Sequence, residues 1–244
     1  MRKFGLIGKK LGHSFSKKYF TEKFAREGIH DAQYELYELP EAQALLTLLQ
    51  EEPELAGLNV TVPYKEAVLP LLDELDAAAA KIGAVNTIKI SEGKTKGYNT
   101  DYIGFKASLE EFFPPQEQMQ ALVLGTGGAA KAVWTALDDL DIPFSTVSRT
   151  PTPGGLSYAQ VTPELLQTYP LIINTTPVGT HPHTAEAPPL PYAALTPGHY
   201  LYDLVYNPEE TQFMKHGAAA GAKTANGLAM LYRQADAAWD IWNR

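Results

Sequence analysis

The tightest constraint on this chain is the segment Leu122–Trp134, read LVLGTGGAAKAVW. An apolar run ending at Leu124 reads as a strand. Gly125, Thr126, Gly127, Gly128 and Ala129 come next, and a helix opens at Ala129 and runs to Leu140. The pattern is G-x-G-x-x-A, with Ala130 in the third place. Each position has a physical purpose: the first glycine makes the tight turn, the second lets backbone approach a pyrophosphate, and the small third residue lets helix pack on strand. The free N–H groups and positive dipole end of the helix then face the anion. A tight strand-to-helix turn also uses glycines, but the position after a strand and before a helix is the context a dinucleotide site requires.

The alternation continues beyond that turn. Ser145–Ser148 and Leu171–Asn174 read as strands, with a short helix at Pro163–Thr168 between them; Tyr200–Leu204 is a further strand and Glu209–Gly217 a helix. Repeated strand–helix units predict a parallel sheet covered on both faces. The residues before it form a separate pattern. Lys3–Ile7, Tyr34–Leu39 and Gly57–Thr61 read as strands, Ser16–Glu27 and Glu41–Leu49 as helices, and Ala77–Ile82 as a helical patch stopped by Gly83. Pro63 is expected to open a helix, since proline suits the first helical position. Asn86–Ile90 and Lys94–Asn99 form a hairpin, and Asp101–Phe113 a helix. Pro114-Pro115 and the polar residues after them are the clearest linker signal. Gly227–Trp242 is a long final helix, and Pro151–Gly155 and Pro182–Pro191 are loops.

The strand after the glycine turn ends in Ser148-Arg149-Thr150. An NAD site would carry an Asp or Glu near this point, about 20 residues past the glycines, on the ribose 2′-hydroxyl. None is there. A cation flanked by two hydroxyls suits a 2′-phosphate instead, so the expected cofactor is NADP.

Two further motifs carry chemistry: Asn59-Val60-Thr61-Val62-Pro63-Tyr64-Lys65 and Asn99-Thr100-Asp101. If a helix starts at Pro63, Lys65 lies in its first turn, where the dipole disfavours a positive charge and so helps a lysine that must exchange a proton. Asp101 fits an N-cap before Tyr102 as well as a carboxylate that orients the amine, and one residue can do both. Asp101 also lies at the junction of the two halves.

The formal charge of −8 argues against a nucleic-acid partner held by bulk charge. The absence of cysteine excludes disulfides, thiolate zinc sites and a thiol nucleophile. No apolar run approaches the roughly 18 residues of a membrane span, and the first residues do not read as a signal peptide. A cytoplasmic protein without membrane contact is expected. His181 and His183 flank Pro182 without an acid cluster, so no metal site is expected.

These motifs, taken in order along almost the whole chain, resemble shikimate dehydrogenase. The segments that carry the resemblance are Gly12-His13-Ser14-Phe15-Ser16, Asn59–Lys65, Ala84-Val85-Asn86-Thr87, Asn99-Thr100-Asp101 and Gly125–Ala130. Asn174-Thr175-Thr176-Pro177-Val178-Gly179, Asp203-Leu204-Val205-Tyr206-Asn207-Pro208, Gly221-Ala222-Lys223-Thr224 and Asn226-Gly227-Leu228 through Met230, Leu231 and Gln234 complete the set. The resemblance implies an α/β protein of two domains: an N-terminal mixed-sheet substrate domain, residues 1–101, joined by the C-terminal helix 227–244, and a Rossmann-like NADP-binding domain, residues 102–226. It implies reversible reduction of 3-dehydroshikimate to shikimate with NADPH, by a monomer or homodimer. Lys65 would exchange the proton, with Asp101 beside it. Ser14 and Ser16 would hold the substrate carboxylate, Thr61, Asn86 and Gln234 the ring hydroxyls, and Tyr206 would help close the pocket. Gly125, Thr126, Gly127, Gly128 and Ala129 would cradle the pyrophosphate, Ser148, Arg149 and Thr150 the adenosine ribose and its phosphate, and Leu204 and Gly227 would lie near the nicotinamide. Gly227, Met230, Leu231 and Gln234 fall at i, i+3, i+4 and i+7, so one helical face can carry them. The chain departs from the family where Ser148 stands for a usual Asn, where Thr180 stands for a usual Met, and in lacking a second basic residue after Arg149. The rival readings are a quinate/shikimate dehydrogenase and a non-catalytic sensor of NADP or a shikimate-like ligand.

Overall fold

Alternating apolar residues at the N-terminus become β1 (Arg2–Gly8) in a computed structural model that describes residues 1–12, 14–114, 119–151 and 153–244. His13, Thr152 and the linker residues from Pro115 to Gln118 lie outside the described residues. After β1 come α1 (Phe15–Glu27), β2 (Ala32–Glu38), α2 (Ala44–Glu51) and β3 (Leu55–Val60). Ser14 caps α1 by accepting from the Lys17 N–H at 3.2 Å, and Gly28 ends it in the left-handed region, φ 66°. β4 (Glu74–Leu75), α3 (Ala77–Ile82), β5 (Thr87–Ser91) and β6 (Lys94–Tyr98) complete the first half.

The chain divides into two compact units. The first is Met1–Ile103 with Gln234–Arg244. Its sheet has the order β2-β1-β3-β5-β6-β4. β1 pairs parallel with β2 and β3, β5 runs antiparallel to β3 and β6, and the short β4 lies parallel to β6. The sheet is therefore mixed. The pleat of β1 sends Phe4 and Leu6 into one apolar cluster and Ile7 into another. Phe20 and Phe24 of α1 complete the first cluster, and Leu45 and Leu48 of α2 help fill the second. Each such side chain contributes about 1.5–3 kcal/mol by leaving water. Ala238, Ile241 and Trp242 also belong to the first cluster. Trp242 donates its indole N–H to the Ile88 carbonyl at 2.9 Å and stacks on Phe4 at 4.8 Å. A Cβ at Gly57 would stand 2.2 Å from that indole nitrogen, so only glycine admits the ring.

The second unit is Gly104–Arg233. It takes in most of α4 (Thr100–Phe112), then β7 (Ala121–Leu124), α5 (Gly128–Asp139), β8 (Phe144–Ser148), β9 (Leu156–Ser157), α6 (Pro163–Leu166), β10 (Leu171–Asn174), β11 (Tyr200–Asp203), α7 (Gln212–Ala219) and β12 (Lys223–Ala225). The last helix, α8 (Leu228–Trp242), begins in this unit and ends in the first. Its break falls between Arg233 and Gln234, so residues 228–233 stay with the second unit. The sheet is parallel throughout, in the order β12-β11-β10-β7-β8-β9. Numbered within the unit, with β12 last, this is the doubly wound dinucleotide-binding arrangement, in which the first strand lies at the centre. The direction of winding reverses between β7 and β10, and the crevice beyond the carboxyl ends of those strands is where such sheets bind ligands.

Several expectations are corrected. No helix opens at Pro63: residues 62–68 form successive turns, followed by a 3-10 turn at Leu69–Leu71. Competing pairings explain this. The Lys65 carbonyl, which a helix would need, accepts from the Val85 N–H at 2.8 Å, and the Tyr64 hydroxyl donates to the Leu39 carbonyl at 2.7 Å. The helix expected from Glu209 starts at Gln212, because the Glu209 carbonyl is taken by the Asn226 side chain at 2.7 Å and Thr211 is the cap. β4, β9 and β12, of two or three residues each, are too short to carry a readable alternation.

Candidate functional site

Lys65 is held by a strand-to-turn exit from β3. With no helix there, the dipole argument falls away, and what the geometry supplies instead is a carboxylate that positions the amine. Lys65 Nζ stands 2.6 Å from Asp101 Oδ2, with the side chains 30% and 19% exposed. Asp101 is not the helix cap. That position belongs to Asn99, whose Oδ1 accepts from the Tyr102 N–H at 3.0 Å while its Nδ2 donates to the Ala84 carbonyl at 3.0 Å. Asp101 is therefore free of capping duty, and it sits in the first turn of α4, where a negative charge is favourable.

A buried polar network adjoins the pair. Asn86 Oδ1 accepts from the Thr100 backbone N–H at 2.6 Å. An N–H can only donate, so the amide orientation is fixed and Nδ2 is left to donate outward. Thr100 Oγ1 stands 3.0 Å from Thr87 Oγ1 and 3.5 Å from Gln234 Oε1. Asn59 Nδ2 donates to Thr87 Oγ1 at 3.1 Å, and its Oδ1 accepts from the Tyr34 hydroxyl at 2.7 Å. Ser16 bonds the same Tyr34 phenol, whose burial pushes its pKa up. One network thus links Ser16, Asn86 and Gln234, drawn from α1, the start of β5 and α8. Asn59, Thr87 and Thr100 were not singled out from the sequence, although each lies in a motif that was. Thr61 leaves β3 two residues past Asn59, its N–H on the Ile7 carbonyl at 3.0 Å. Ser14 spends its oxygen on the α1 cap and keeps its hydroxyl proton to donate.

In the second unit, a cavity of about 510 Å³ lies at the carboxyl ends of β7, β8 and β10. The loop 125–127, the segment 148–150 and residues 175–178 line it. Gly125 has φ +108°, and a Cβ there would meet Thr175 Oγ1 at 2.6 Å, so the first glycine is obligatory. Gly127 caps α5, and a Cβ at Gly127 or Gly128 would find nothing within 4 Å. That open ground beside the first N–H groups of α5, Ala129 included, fits a pyrophosphate. Ala130 is fully buried, as close packing of α5 on the sheet requires. Ser148 Oγ donates to the Thr150 carbonyl at 2.7 Å and folds the loop that carries Arg149. No Asp or Glu is among the described residues lining the cavity. The residues present fit a dinucleotide with a 2′-phosphate.

Leu204 and Gly227 meet directly: a Cβ at Gly227 would stand 2.1 Å from the Leu204 carbonyl oxygen. Tyr206 is in the same unit, on the loop after β11, and is 42% exposed. That loop is anchored by Asp203, a residue to which sequence reasoning gave no role. Asp203 is fully buried; Oδ1 accepts from Asn174 Nδ2 at 2.9 Å and the Val205 N–H at 3.0 Å, and Oδ2 from Thr211 Oγ1 at 2.6 Å. Burial pushes its carboxyl up to about 6, against the opposing pull of those three donors. Its only sequence signal is its position at the head of the Asp203–Pro208 segment.

Among the described residues, no group of three His, Cys, Asp or Glu side chains stands ready to hold a metal ion, and no helix is long and apolar enough to cross a membrane.

Comparison with known proteins adds the family. The shikimate dehydrogenase substrate binding domain matches residues 6–88. The chain is 37% identical to the shikimate dehydrogenase (NADP(+)) of Geobacillus kaustophilus, over 98% of this chain and 91% of that one. The solved shikimate 5-dehydrogenase of Thermus thermophilus, in complex with NADP(H) and shikimate, is 33% identical with a TM-score of 0.86, over 99% and 93% of the two chains. The quinate dehydrogenase of Corynebacterium glutamicum, in complex with NAD, superposes with a TM-score of 0.88 at 27% identity, over 99% and 93%. By sequence along nearly its whole length and by fold in both units, the chain belongs to the shikimate dehydrogenase family.

Proposed function

We propose that this chain is a shikimate dehydrogenase, reducing 3-dehydroshikimate reversibly to shikimate with NADPH on the way to chorismate and the aromatic amino acids. The observation that carries the reading is the Lys65–Asp101 contact at 2.6 Å, next to a network of hydrogen-bonding side chains suited to a polyhydroxylated acid. NADPH, when bound, supplies the hydride that reduces the carbonyl carbon. Lys65 Nζ donates a proton to the developing alkoxide oxygen, and in the reverse direction takes the proton from the hydroxyl. Asp101 holds the amine in place. Ser14 and Ser16 bind the carboxylate through hydroxyl donors, and Thr61, Asn86 and Gln234 bind the ring hydroxyls. A site built to bond each hydroxyl discriminates strongly against analogues that lack one.

We assign the substrate to residues 1–101 with the C-terminal helix 227–244, and the cofactor to residues 102–226. Gly125–Ala129 hold the pyrophosphate, Ser148, Arg149 and Thr150 the adenosine ribose and its phosphate, and Leu204 and Gly227 the nicotinamide end; to Tyr206 we assign a part in substrate binding. The choice of NADP rests on Arg149 in a cavity whose described lining carries no acid. The enzyme acts in the cytoplasm as a monomer or homodimer. The test is an absorbance assay with shikimate or quinate against NADP or NAD. Shikimate with NADP gives the largest kcat/KM of the four. Preference for quinate would move the chain to the quinate branch of the family, and four flat traces would leave a ligand-binding sensor as the better reading.

A further inference from the structure

The cavity at the carboxyl ends of β7 and β8 has one charged residue among its described lining, Arg149. A phosphate monoester brings close to two negative charges and three acceptor oxygens at neutral pH. One guanidinium does not satisfy it, and the neighbouring hydroxyl Ser148 Oγ has its proton committed to the Thr150 carbonyl. The lining offers another donor, Tyr158. β8 and β9 run parallel, with Ser148 opposite Ser157. The next residues, Arg149 and Tyr158, therefore leave the sheet side by side. The 3-10 turn Tyr158–Gln160 is fixed by a capping box, in which Gln160 Oε1 accepts from the Ser157 N–H at 2.8 Å and the Ser157 hydroxyl at 2.9 Å. Arg149 is close enough to act on the Tyr158 phenol: burial pushes that phenol up, and the guanidinium draws it partly back.

The hydroxyl itself is the telling feature. The other buried or half-buried tyrosines of this unit named here all have partners. Tyr169 bonds Ser145, Tyr192 the Pro188 carbonyl, Tyr200 Lys223 and Tyr202 Ser108. Tyr158 makes no side-chain hydrogen bond to any described residue, yet it is half-buried in a cavity wall. The hydroxyl is not itself buried, so its proton stays available to a ligand that enters the cavity.

We infer that Tyr158 is a specificity residue for the phosphorylated cofactor, its hydroxyl donating to the 2′-phosphate beside Arg149. This rests on the NADP reading above and adds a phosphate donor to Arg149 and Thr150, where the described lining carries no second cation.

The test is equilibrium calorimetry on the intact chain with adenosine 2′,5′-bisphosphate, 5′-AMP, NADP and NAD. Wild type binds the two 2′-phosphorylated ligands more tightly than their counterparts. Tyr158→Phe, which keeps the ring, weakens both of them roughly tenfold, the worth of one charge-assisted hydrogen bond. It leaves 5′-AMP and NAD within about twofold of wild type. If wild type makes no distinction between bisphosphate and 5′-AMP, the NADP reading itself fails. If wild type distinguishes them and Tyr158→Phe does so equally well, NADP stands and Tyr158 has no part in its choice. Equal loss for all four ligands would assign the residue to packing against adenosine and overturn the proposal too.

Discussion

A lysine that must deliver a proton is useful only while something holds its ammonium in place. Asp101 does this at 2.6 Å from a position inside α4, and Asn99 relieves it of the capping role. Lys65→Ala is therefore expected to lower kcat by about 10²–10⁴-fold, the usual worth of a positioned acid–base group, while shikimate still binds. A variant that turns over at the wild-type rate would remove the proton carrier from the proposed chemistry. Arg149 makes the complementary case at the other end. Loss of its charge-assisted contact in Arg149→Ala should raise the NADP dissociation constant about 10- to 100-fold and leave NAD nearly unchanged. An unaltered preference between the two cofactors would mean that Arg149 does not read the phosphate.

At the scale of elements, the glycines act where two pieces of backbone meet. The first turn of α8 can approach the end of β11 only because Gly227 has no side chain, since a Cβ would stand 2.1 Å from the Leu204 carbonyl oxygen. Backbone cannot step aside as a side chain does, so Gly227→Ala should cost about 1–3 kcal/mol of stability, and NADP binding should weaken with it. Denaturant unfolding and calorimetry on the same variant check both; wild-type values would show that the junction relaxes freely. Elements of this kind were legible when their signal was local. The 125–130 turn, the stop at Gly83 and the strands with clear alternation can be read from residues next to one another. The segment after Pro63 could not, because the carbonyl of Lys65 is claimed by Val85, a partner distant in sequence. Asn99 and Asp101 were equally good caps by type, and only the Tyr102 N–H decides between them. Asp203 was marked only by heading the Asp203–Pro208 segment and Tyr158 not at all, since a buried carboxylate and an unpartnered hydroxyl are facts of packing. The site residues named from the sequence came mostly through the family resemblance; periodicity gave only the faces on which they lie.

For the whole molecule, stability against pH combines two opposed trends. Glu27, Asp31, Asp73 and Glu164 are held below their ordinary carboxylate values, the first two chiefly by Lys23 and Arg2, Asp73 by Thr95 donors and Glu164 by its own backbone N–H. Their contribution is present at neutral pH and is lost on acidification through their folded-state values. Asp203 behaves the other way. Its folded-state value of about 6 lies above the unfolded 3.8, so its contribution is complete below the unfolded value and is lost as pH rises through 6. Asp203→Asn has no such titration. The stability of the variant relative to wild type should therefore climb between about pH 4 and 6, by an amount on the order of 3 kcal/mol, and then level off. Urea midpoints taken across that range test this, and a constant difference would show that Asp203 ionises in the fold as freely as in the open chain.

The first unit is assembled from both ends of the sequence, with Trp242 seated over Gly57 and bonded to Ile88. During synthesis the N-terminal sheet leaves the ribosome long before the ring that fills its core has been translated. Residues 104–233 have their own parallel sheet and can settle while that sheet still waits. The half assigned to substrate is thus the last to mature, and a released chain cut short before residue 234 would hold every strand of the cofactor sheet beside an unsealed core.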